Sequence, residues 1–211
     1  MPLLEQFLNI LPHHPSFHSN NNGKPLEFQI EEIFIIPDVG SIVGGLVLNG
    51  NMRVGGIYNL GPLSDCSSTQ VLVKSIQRQR SSISELLNGQ AGTIHIEAVD
   101  NRVFVDNKSK LGIRLRKGMS LLEEKPIYTN LIRAVVQVIT DEGIQGITPK
   151  IAGRVYIGSL QQNGTIIEQE LVREKEYNIK IQLAANEWTR SGLKLIFYSP
   201  THGLKCAGSI Q

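Results

Sequence analysis

Residues 28–45 read FQIEEIFIIPDVGSIVGG, and this stretch decides the fold class. Two runs rich in β-branched and aromatic residues, 28–36 and 42–48, flank a short turn that contains Pro37, Asp38 and Gly40. Runs of this kind joined by such a turn are typical of paired β-strands. The glycines at and after position 40 suit places where barrel strands bend or need a positive φ.

The same strand pattern continues along the chain at short, even spacing. Further candidate strands in the first block cover 58–62, 71–76 and 93–96. The second block begins near residue 129, and its candidate strands cover 132–139, 150–157, 161–167, 177–183, 193–198 and 206–210. Even spacing of short strands indicates all-β barrels or sandwiches. We predict an all-β fold with two antiparallel β-barrels, one over 27–124 and one over 125–211, joined at the segment 121–128.

The first 26 residues have a different pattern. Apolar residues recur at helical spacing over 2–11, and Pro12 and Pro15 follow them, so a short N-terminal helix is predicted there. Residues 12–26 are rich in His, Pro, Ser, Asn and Gly, as linkers are. A helix this short needs a partner to pack on.

Composition excludes several classes of protein. The chain has 211 residues, 41% of them apolar, and a net charge of +2, which does not suit a disordered polyelectrolyte. Its apolar runs are too short to cross a bilayer, and its first residues are a poor signal peptide, so a cytoplasmic protein is expected. Cys66 and Cys206 are far apart and lack the spacing of a zinc site, so no metal is expected in this chain.

An ordered series of motifs carries a resemblance to a known family. After 28–45 come Gly50–Gly56, Lys74–Arg80 with the pattern Lys-Ser-Ile-x-Arg-x-Arg, Arg116–Met119 and, in the second block, 147–162. The series resembles domains 2 and 3 of the elongation factor Tu superfamily of translational GTPases, in the branch of GTP-binding proteins 1 and 2. The segment 4–11 is similar to the last helix of that branch's GTPase domain. The resemblance covers nearly the whole chain.

Two departures from the family pattern stand out. Asp38 occupies a position where the family usually has glycine. Residues 198–205, YSPTHGLK, replace an Arg-Glu-Gly-Arg-Thr-like turn.

The chain has none of the motifs that hydrolyse GTP. Gly23-Lys24 precedes Pro25 rather than Ser or Thr, no DxxG occurs, and residues 107–110, NKSK, lack the carboxylate that reads guanine. No other catalytic constellation is visible, so no catalytic residue is assigned. The resemblance implies that GTP and Mg²⁺ belong to a GTPase domain upstream and that this chain holds no cofactor.

The resemblance also implies a site. In the family, domain 2 holds the aminoacyl end of transfer RNA in a shallow apolar pocket, and domain 3 holds the acceptor stem. The corresponding pocket residues here are Ile36, Gly40, Ile42, Gln90 and Leu121. An apolar floor accepts an unstacked base and an amide reads its edge. Core packing is the alternative for the apolar members.

Basic residues are the second part of the predicted site. Phosphate contacts would come from Lys74, Arg78, Arg80, Arg116 and Lys117. The first three alternate in sequence, so they share one face if their strand continues to Arg80. An ordinary solvated face is the alternative.

The function expected from these features is that of a barrel module in a GTP-dependent translation or RNA-surveillance factor. Its partners would be the GTPase domain of the same parent protein and transfer RNA, the ribosome or another RNA, with no membrane or DNA partner. The alternative is a protein-interaction scaffold derived from such a GTPase. Salt-sensitive RNA affinity discriminates between them.

Overall fold

The computed structural model describes residues 23–100, 102–105, 112–139 and 147–211. These residues form seventeen strands and no helix. The predicted helix over 2–11 lies outside the described residues. In the first block the strands are β1 (Glu27–Ile36), β2 (Gly40–Asn49), β3 (Met52–Arg53), β4 (Ile57–Gly61), β5 (Thr69–Arg78), β6 (Ser81–Ile83), β7 (Glu85–Leu86), β8 (Ala91–Ala98), β9 (Phe104–Val105), β10 (Ile113–Arg114) and β11 (Ser120–Leu122). In the second block they are β12 (Thr129–Val138), β13 (Ile151–Ile157), β14 (Leu160–Arg173), β15 (Glu176–Glu187), β16 (Lys194–Ser199) and β17 (Leu204–Ile210).

The first barrel is a six-stranded closed sheet. Its strand order is β4-β11-β1-β2-β8-β5, and pairing of β5 with β4 closes it, while β6 extends from β5 as a hairpin. All these pairings are antiparallel. Closure leaves the six barrel strands without a free edge.

The second barrel closes in the order β12-β15-β14-β13-β16-β17, with β17 returning to β12. Its inward positions follow the two-residue period of a strand, as in β12, where Ile132, Ala134 and Val136 are buried. The predicted all-β fold with two antiparallel barrels is thus confirmed.

Each barrel surrounds its own hydrophobic core. The first core contains the fully buried Phe28 and Leu60, and the second contains the fully buried Phe197. Burying a side chain of this size contributes about 1.5–3 kcal/mol relative to leaving it exposed. The connection 123–128 leads from β11 in the first barrel to β12 in the second.

Polar contacts hold the barrels against each other along one seam. Gln29 of β1 contacts the β13–β14 turn: its Nε2 donates to the Ile157 carbonyl and its Oε1 accepts from the Ser159 amide at 3.0 Å. The Ser159 hydroxyl donates to Glu31 at 3.1 Å.

Two ion pairs cross the same seam in opposite directions. Arg190 of the second barrel binds Glu27 of the first, with Nε to Oε2 at 2.7 Å. Arg116 of the first barrel binds Glu187 of the second, with Nη2 to Oε1 at 2.8 Å. In both pairs the carboxylate is buried and the guanidinium is partly exposed. Each barrel therefore supplies one buried acid and one arginine.

Candidate functional site

An open cleft of about 490 Å³ lies at the end of the β1–β2 hairpin. Ile35 and Ile36 of β1 and Val39 of the turn line it, and each is at least 40% exposed. Val103, 69% exposed, and His95 of β8 also line it. The cleft is therefore an accessible apolar surface with polar groups at its side. We call it the hairpin cleft.

The turn that shapes this cleft requires unusual backbone conformations. Asp38 has φ +64° and Gly40 has φ +110°. The Val39 amide closes the turn on the Ile36 carbonyl at 3.2 Å. A positive φ explains why glycine suits position 38, and Asp is among the residues that tolerate it.

Gly40 has a second reason to lack a side chain. A Cβ at this position would lie 3.0 Å from Nε2 of His95, which is tighter than an ordinary contact. Its φ also falls where L residues are strained. Gly40 therefore leaves room for the His95 ring beside the hairpin cleft.

The five predicted pocket residues do not form one cluster. Ile36 and Gly40 pair across the hairpin and line the cleft. Ile42 is half-buried nearby and pairs with His95. Gln90 precedes β8 and its carbonyl accepts the Val47 amide, so it lies five residues beyond Ile42 along β2, or roughly 17 Å away.

The two remaining predicted pocket residues already have local contacts. The Gln90 side-chain oxygen accepts the Leu87 amide at 3.1 Å, so the amide caps its own turn. Leu121 is fully buried in the first core and pairs with Phe28 and Leu60. The burial of Leu121 matches the alternative that this residue packs in the barrel core. Their role in binding stays a prediction.

The predicted basic face is interrupted twice. A β-bulge between Val73 and Ser75 changes the phase of β5, so Val73 and Ile76 both face the core although they are an odd number of positions, three, apart. Arg78 therefore follows the phase of Ile76 rather than that of Lys74. The strand also ends at Arg78, and Arg80 belongs to the turn. The three basic side chains do not share one face, which corrects the prediction from alternation.

The predicted phosphate-contact residues differ in their partners. Lys74 pairs with Glu97 at 3.1 Å, and Arg116 pairs with Glu187 across the seam. Arg78 is half-buried, while Arg80 and Lys117 are exposed. Arg80 and Lys117 are therefore the most accessible of the five for a phosphate group.

Burial controls the ionisation of Glu187. Desolvation raises the pKa of this carboxyl above its ordinary value, and the hydrogen bond and charge of Arg116 lower it in part. Arg116 thus keeps an anion in a place that favours the neutral acid. Its structural role at the seam was not apparent from the sequence, because the partner lies 71 residues away.

Sequence reasoning also missed His95 and Val103, which line the hairpin cleft together with Arg102. They come from β8 and the segment after it, and only the β2–β8 pairing brings them beside the hairpin. One signal was available: 33–36, IFII, is a continuous apolar run, yet Phe34, Ile35 and Ile36 are exposed. Exposed apolar residues grouped together indicate an interaction surface.

Within the described ranges, no three His, Cys, Asp or Glu side chains are placed to hold a metal ion. The same ranges contain no helix long and apolar enough to cross a membrane.

Two closed antiparallel barrels, the first with a tight, exposed hairpin at one end, define the fold class of the chain. The chain superimposes on translation elongation factor SelB from Methanococcus maripaludis with a TM-score of 0.72 and 19% identity. The match covers 100% of this chain and 46% of that one. This likeness establishes the fold.

The relationship by sequence is more specific. The chain is 33% identical over 145 residues to GTP-binding protein 2 of Mus musculus and of Homo sapiens, covering 66% of this chain and 22% of each relative. It is 26% identical over 167 residues to GTP-binding protein 1 of Xenopus laevis, covering 79% of this chain and 23% of the relative. No family model matches the chain.

These similarities confirm the predicted resemblance. The chain is similar in sequence to GTP-binding proteins 1 and 2, and its two barrels match the fold of part of a translation elongation factor. It spans less than a quarter of the length of these curated relatives.

Proposed function

We propose that the two barrels are an RNA-binding module of a GTP-dependent, translation-factor-like protein. The module works in the cytoplasm beside a GTPase domain that binds GTP and Mg²⁺, and it binds transfer RNA, ribosomal RNA or another RNA with an unpaired end. The observation that carries this proposal is the hairpin cleft, where Ile36 and Gly40 form an accessible apolar surface.

The chemistry of the cleft fits an unpaired base. A base that leaves a helix needs an apolar or aromatic face to pack on, together with polar groups for its edge. Ile35, Ile36 and Val39 supply the apolar face, and His95 and Arg102 supply polar groups. The exposed Arg80 and Lys117 are available for phosphates, which contribute affinity without reading sequence.

A binding assay with two RNA hairpins tests this proposal. One hairpin has a four-nucleotide 3′ overhang, and the other is blunt. Fluorescence anisotropy should show tighter binding of the overhang. Ile36→Asp should weaken that preference by about tenfold, because it puts a charge on the floor of the cleft. Equal affinity of the two hairpins for the wild-type chain would contradict the proposal.

The basic residues need a separate comparison. Arg78→Ala with Arg80→Ala should weaken both hairpins to a similar extent, since phosphate contacts are insensitive to sequence and to unpaired ends. Arg173→Ala is the matched control, because Arg173 is an exposed arginine of the second barrel. If the control weakens binding as much as the double variant, the contacts are not at the β5–β6 hairpin.

A protein-interaction scaffold is the second candidate. The charges near the hairpin cleft are mixed rather than basic, since Asp38 and Glu97 line it together with Arg102. A mixed rim around an apolar surface suits a protein partner with a complementary apolar face. Under this alternative, Ile36→Asp removes partner binding, and RNA affinity is absent at low salt as well.

A further inference from the structure

Charge is divided unevenly over the surface of the second barrel. Among its described residues, 129–139 and 147–211, every acid lies on β14, on β15 or between them. These acids are Glu168, Glu170, Glu174, Glu176 and Glu187. The other four strands are neighbours in the order β13-β16-β17-β12, and they contain no acid. Asp141 and Glu142 lie outside the described residues. Four adjacent strands of this barrel therefore lack negative charge.

Each of the four acid-free strands contributes one cation. The four are Arg133, Arg154, Lys194 and Lys205, and all are exposed. In the described part of the chain, no ion pair joins any of them to a carboxylate. On β15, by contrast, Lys180 pairs with Glu168 at 2.9 Å. An anion from outside the chain would thus meet cations that no carboxylate of the barrel neutralises.

Strand β16 presents an apolar side chain beside one of these cations. Leu195 and Phe197 are buried in the second core, so alternation turns Lys194, Ile196 and Tyr198 outward. Ile196 is 52% exposed. A large aliphatic side chain exposed on a strand, with no acid nearby on its own strand or on either neighbour, suits a partner that brings both apolar surface and negative charge.

Strand β13 completes this surface from the other side. Tyr156 pairs with Ile196, and Arg154 pairs with Tyr198. Ile196 and Tyr156 therefore form an apolar centre, with Lys194 on one side of it along the strands and Arg154 on the other. The two cations are about 13 Å apart along the strand direction, because four residues separate Lys194 from the partner of Arg154. We call these five outward residues the basic face.

An open cleft of about 580 Å³ adjoins the basic face at Arg154. Polar side chains that can donate hydrogen bonds line it, among them Asn163, Thr165 and Gln182, and none of its lining residues is an acid. Ala152 also lines it, and its small side chain leaves room between the polar groups. A guanidinium binds a carboxylate with two parallel hydrogen bonds, so this end of the basic face suits an acidic side chain.

We propose that the basic face binds an extended acidic segment of a partner protein, in which an apolar residue has an acid two residues away on each side. The apolar side chain packs on Ile196 and Tyr156, one carboxylate binds Arg154, and the other binds Lys194. In an extended chain, residues two apart point the same way and four residues span about 13 Å, which matches the separation of the two cations.

The centre of the basic face favours a protein over RNA. Ile196 is aliphatic and offers no ring for a base to stack on, whereas single-stranded RNA sites rely on aromatic stacking. Tyrosine and arginine beside an exposed aliphatic side chain are typical of the energetically important centre of a protein interface. The inference does not depend on RNA binding at the hairpin cleft, which lies in the other barrel.

Two acidic peptides of equal charge test the spacing. One contains Glu-Ser-Leu-Ser-Glu, and the other contains Glu-Leu-Glu-Ser-Ser, which places the leucine and the acids on opposite sides of an extended chain. Each is titrated into the ¹⁵N-labelled full chain. Saturable shifts are expected in the amide signals of β13 and β16, with at least threefold tighter binding of the first peptide. No saturable shifts on these strands, or equal affinities, would overturn the proposal.

Surface variants assign the contacts to the basic face. Arg154→Gln with Lys194→Gln should weaken the first peptide at least fivefold, and Ile196→Thr should weaken it at least threefold while keeping a β-branched residue in the strand. Arg173→Gln with Lys175→Gln is the matched control, because it removes two exposed cations from the β14–β15 hairpin of the same barrel. Unchanged affinity in both basic-face variants, or an equal loss in the control, would overturn the proposal.

Two further measurements distinguish other occupants. If the blunt RNA hairpin shifts the amides of β13 and β16 and binds more tightly than the peptide, the face binds phosphates and the proposal is wrong. Sedimentation tests a second copy of the chain: a dimer that Arg154→Gln with Lys194→Gln converts to a monomer would also overturn it. RNA binding that is lost in Ile36→Asp but retained in the basic-face variants belongs to the hairpin cleft, so the two proposals fail independently.

Discussion

Gly44 and Gly45 are neighbours in β2 but have different surroundings. A Cβ at Gly45 would overlap the Gln29 carbonyl oxygen and the ring of Phe28, whereas a Cβ at Gly44 would make ordinary contacts of 3.4 Å or more. The fixed obstacle at Gly45 is backbone, which cannot move aside as a flexible side chain can. Gly45 therefore marks a close approach of β1 to β2.

This difference predicts unequal costs for the same substitution. Gly45→Ala should destabilise the first barrel by about 3 kcal/mol, because overpacking against backbone forces strands apart. Gly44→Ala is the matched control and should change the free energy of unfolding by less than about 1 kcal/mol. Urea denaturation measures both, and equal effects would show that the contact at Gly45 is not limiting.

Replacing Arg116 and replacing Glu187 should reduce the free energy of unfolding by different amounts. Arg116→Met leaves a buried carboxylate without its cation and should cost about 3 kcal/mol at pH 7. Glu187→Gln removes the buried charge and leaves a half-exposed arginine that water can solvate, so it should cost less.

The effect of Arg116→Met should depend on pH. Burial raises the pKa of Glu187 above 4.5, so the folded state keeps this proton longer than the unfolded state, and stability falls as pH rises past that value. Arg116 lowers this pKa, so without Arg116 the pKa of Glu187 is higher and the free energy of unfolding falls further as pH rises. The difference between variant and wild type should be small below pH 4.5 and grow towards pH 7. A difference independent of pH would exclude this explanation.

At the scale of elements, the β5–β6 hairpin carries strain at its tip. Gln79 and Arg80 both have positive φ, at +52° and +65°, in a two-residue loop between Arg78 and Ser81. Such loops favour Asn-Gly, since other side chains are disfavoured in the left-handed region.

Replacing the tip with Gln79→Asn and Arg80→Gly should stabilise the chain by about 1 kcal/mol in thermal or urea unfolding. If Arg80 contacts phosphate, the same variant should bind RNA more weakly although it is more stable. Asparagine also tolerates the left-handed region. Arg80→Asn is therefore the control that removes the charge and retains the turn. A destabilised double variant would contradict the turn geometry.

Strand positions and the turn between β1 and β2 followed from local pattern, whereas the bulge in β5 did not. The β-rich apolar runs predicted where most strands lie. The bulge after Val73 has no signal in the sequence, because it depends on how β5 pairs with β8. The positive φ at Asp38 was visible only as a departure from the glycine of related sequences.

The candidate site was less predictable than the fold for a similar reason. Ile36 and Gly40 are close in sequence, and the hairpin brings them together. The positions of Gln90 and Leu121 depend on the strand register and on which side of the sheet each residue faces. A register shift of one residue moves a side chain to the opposite side of the sheet. The seam pairs of Glu27 with Arg190 and Arg116 with Glu187 join residues far apart in the chain, so no local pattern could predict them.

At the scale of the whole molecule, the crossed ion pairs and the Gln29 contacts predict that the barrels unfold together. Differential scanning calorimetry should show one transition for the wild-type chain at pH 7. Arg116→Met combined with Arg190→Met removes both pairs and should separate the transition into two. Two transitions in the wild-type chain would show that the seam does not couple the barrels.

The central claim, RNA binding by the barrel pair, is tested most directly by the salt dependence of affinity. The wild-type chain is titrated with the overhang hairpin at several salt concentrations, and log affinity is plotted against log salt. Contacts from Arg78, Arg80 and Lys117 predict a slope of about −2 to −3, at roughly 0.7–0.9 per phosphate contact. A slope near zero, or no binding at low salt, would contradict the claim and support the protein-interaction scaffold.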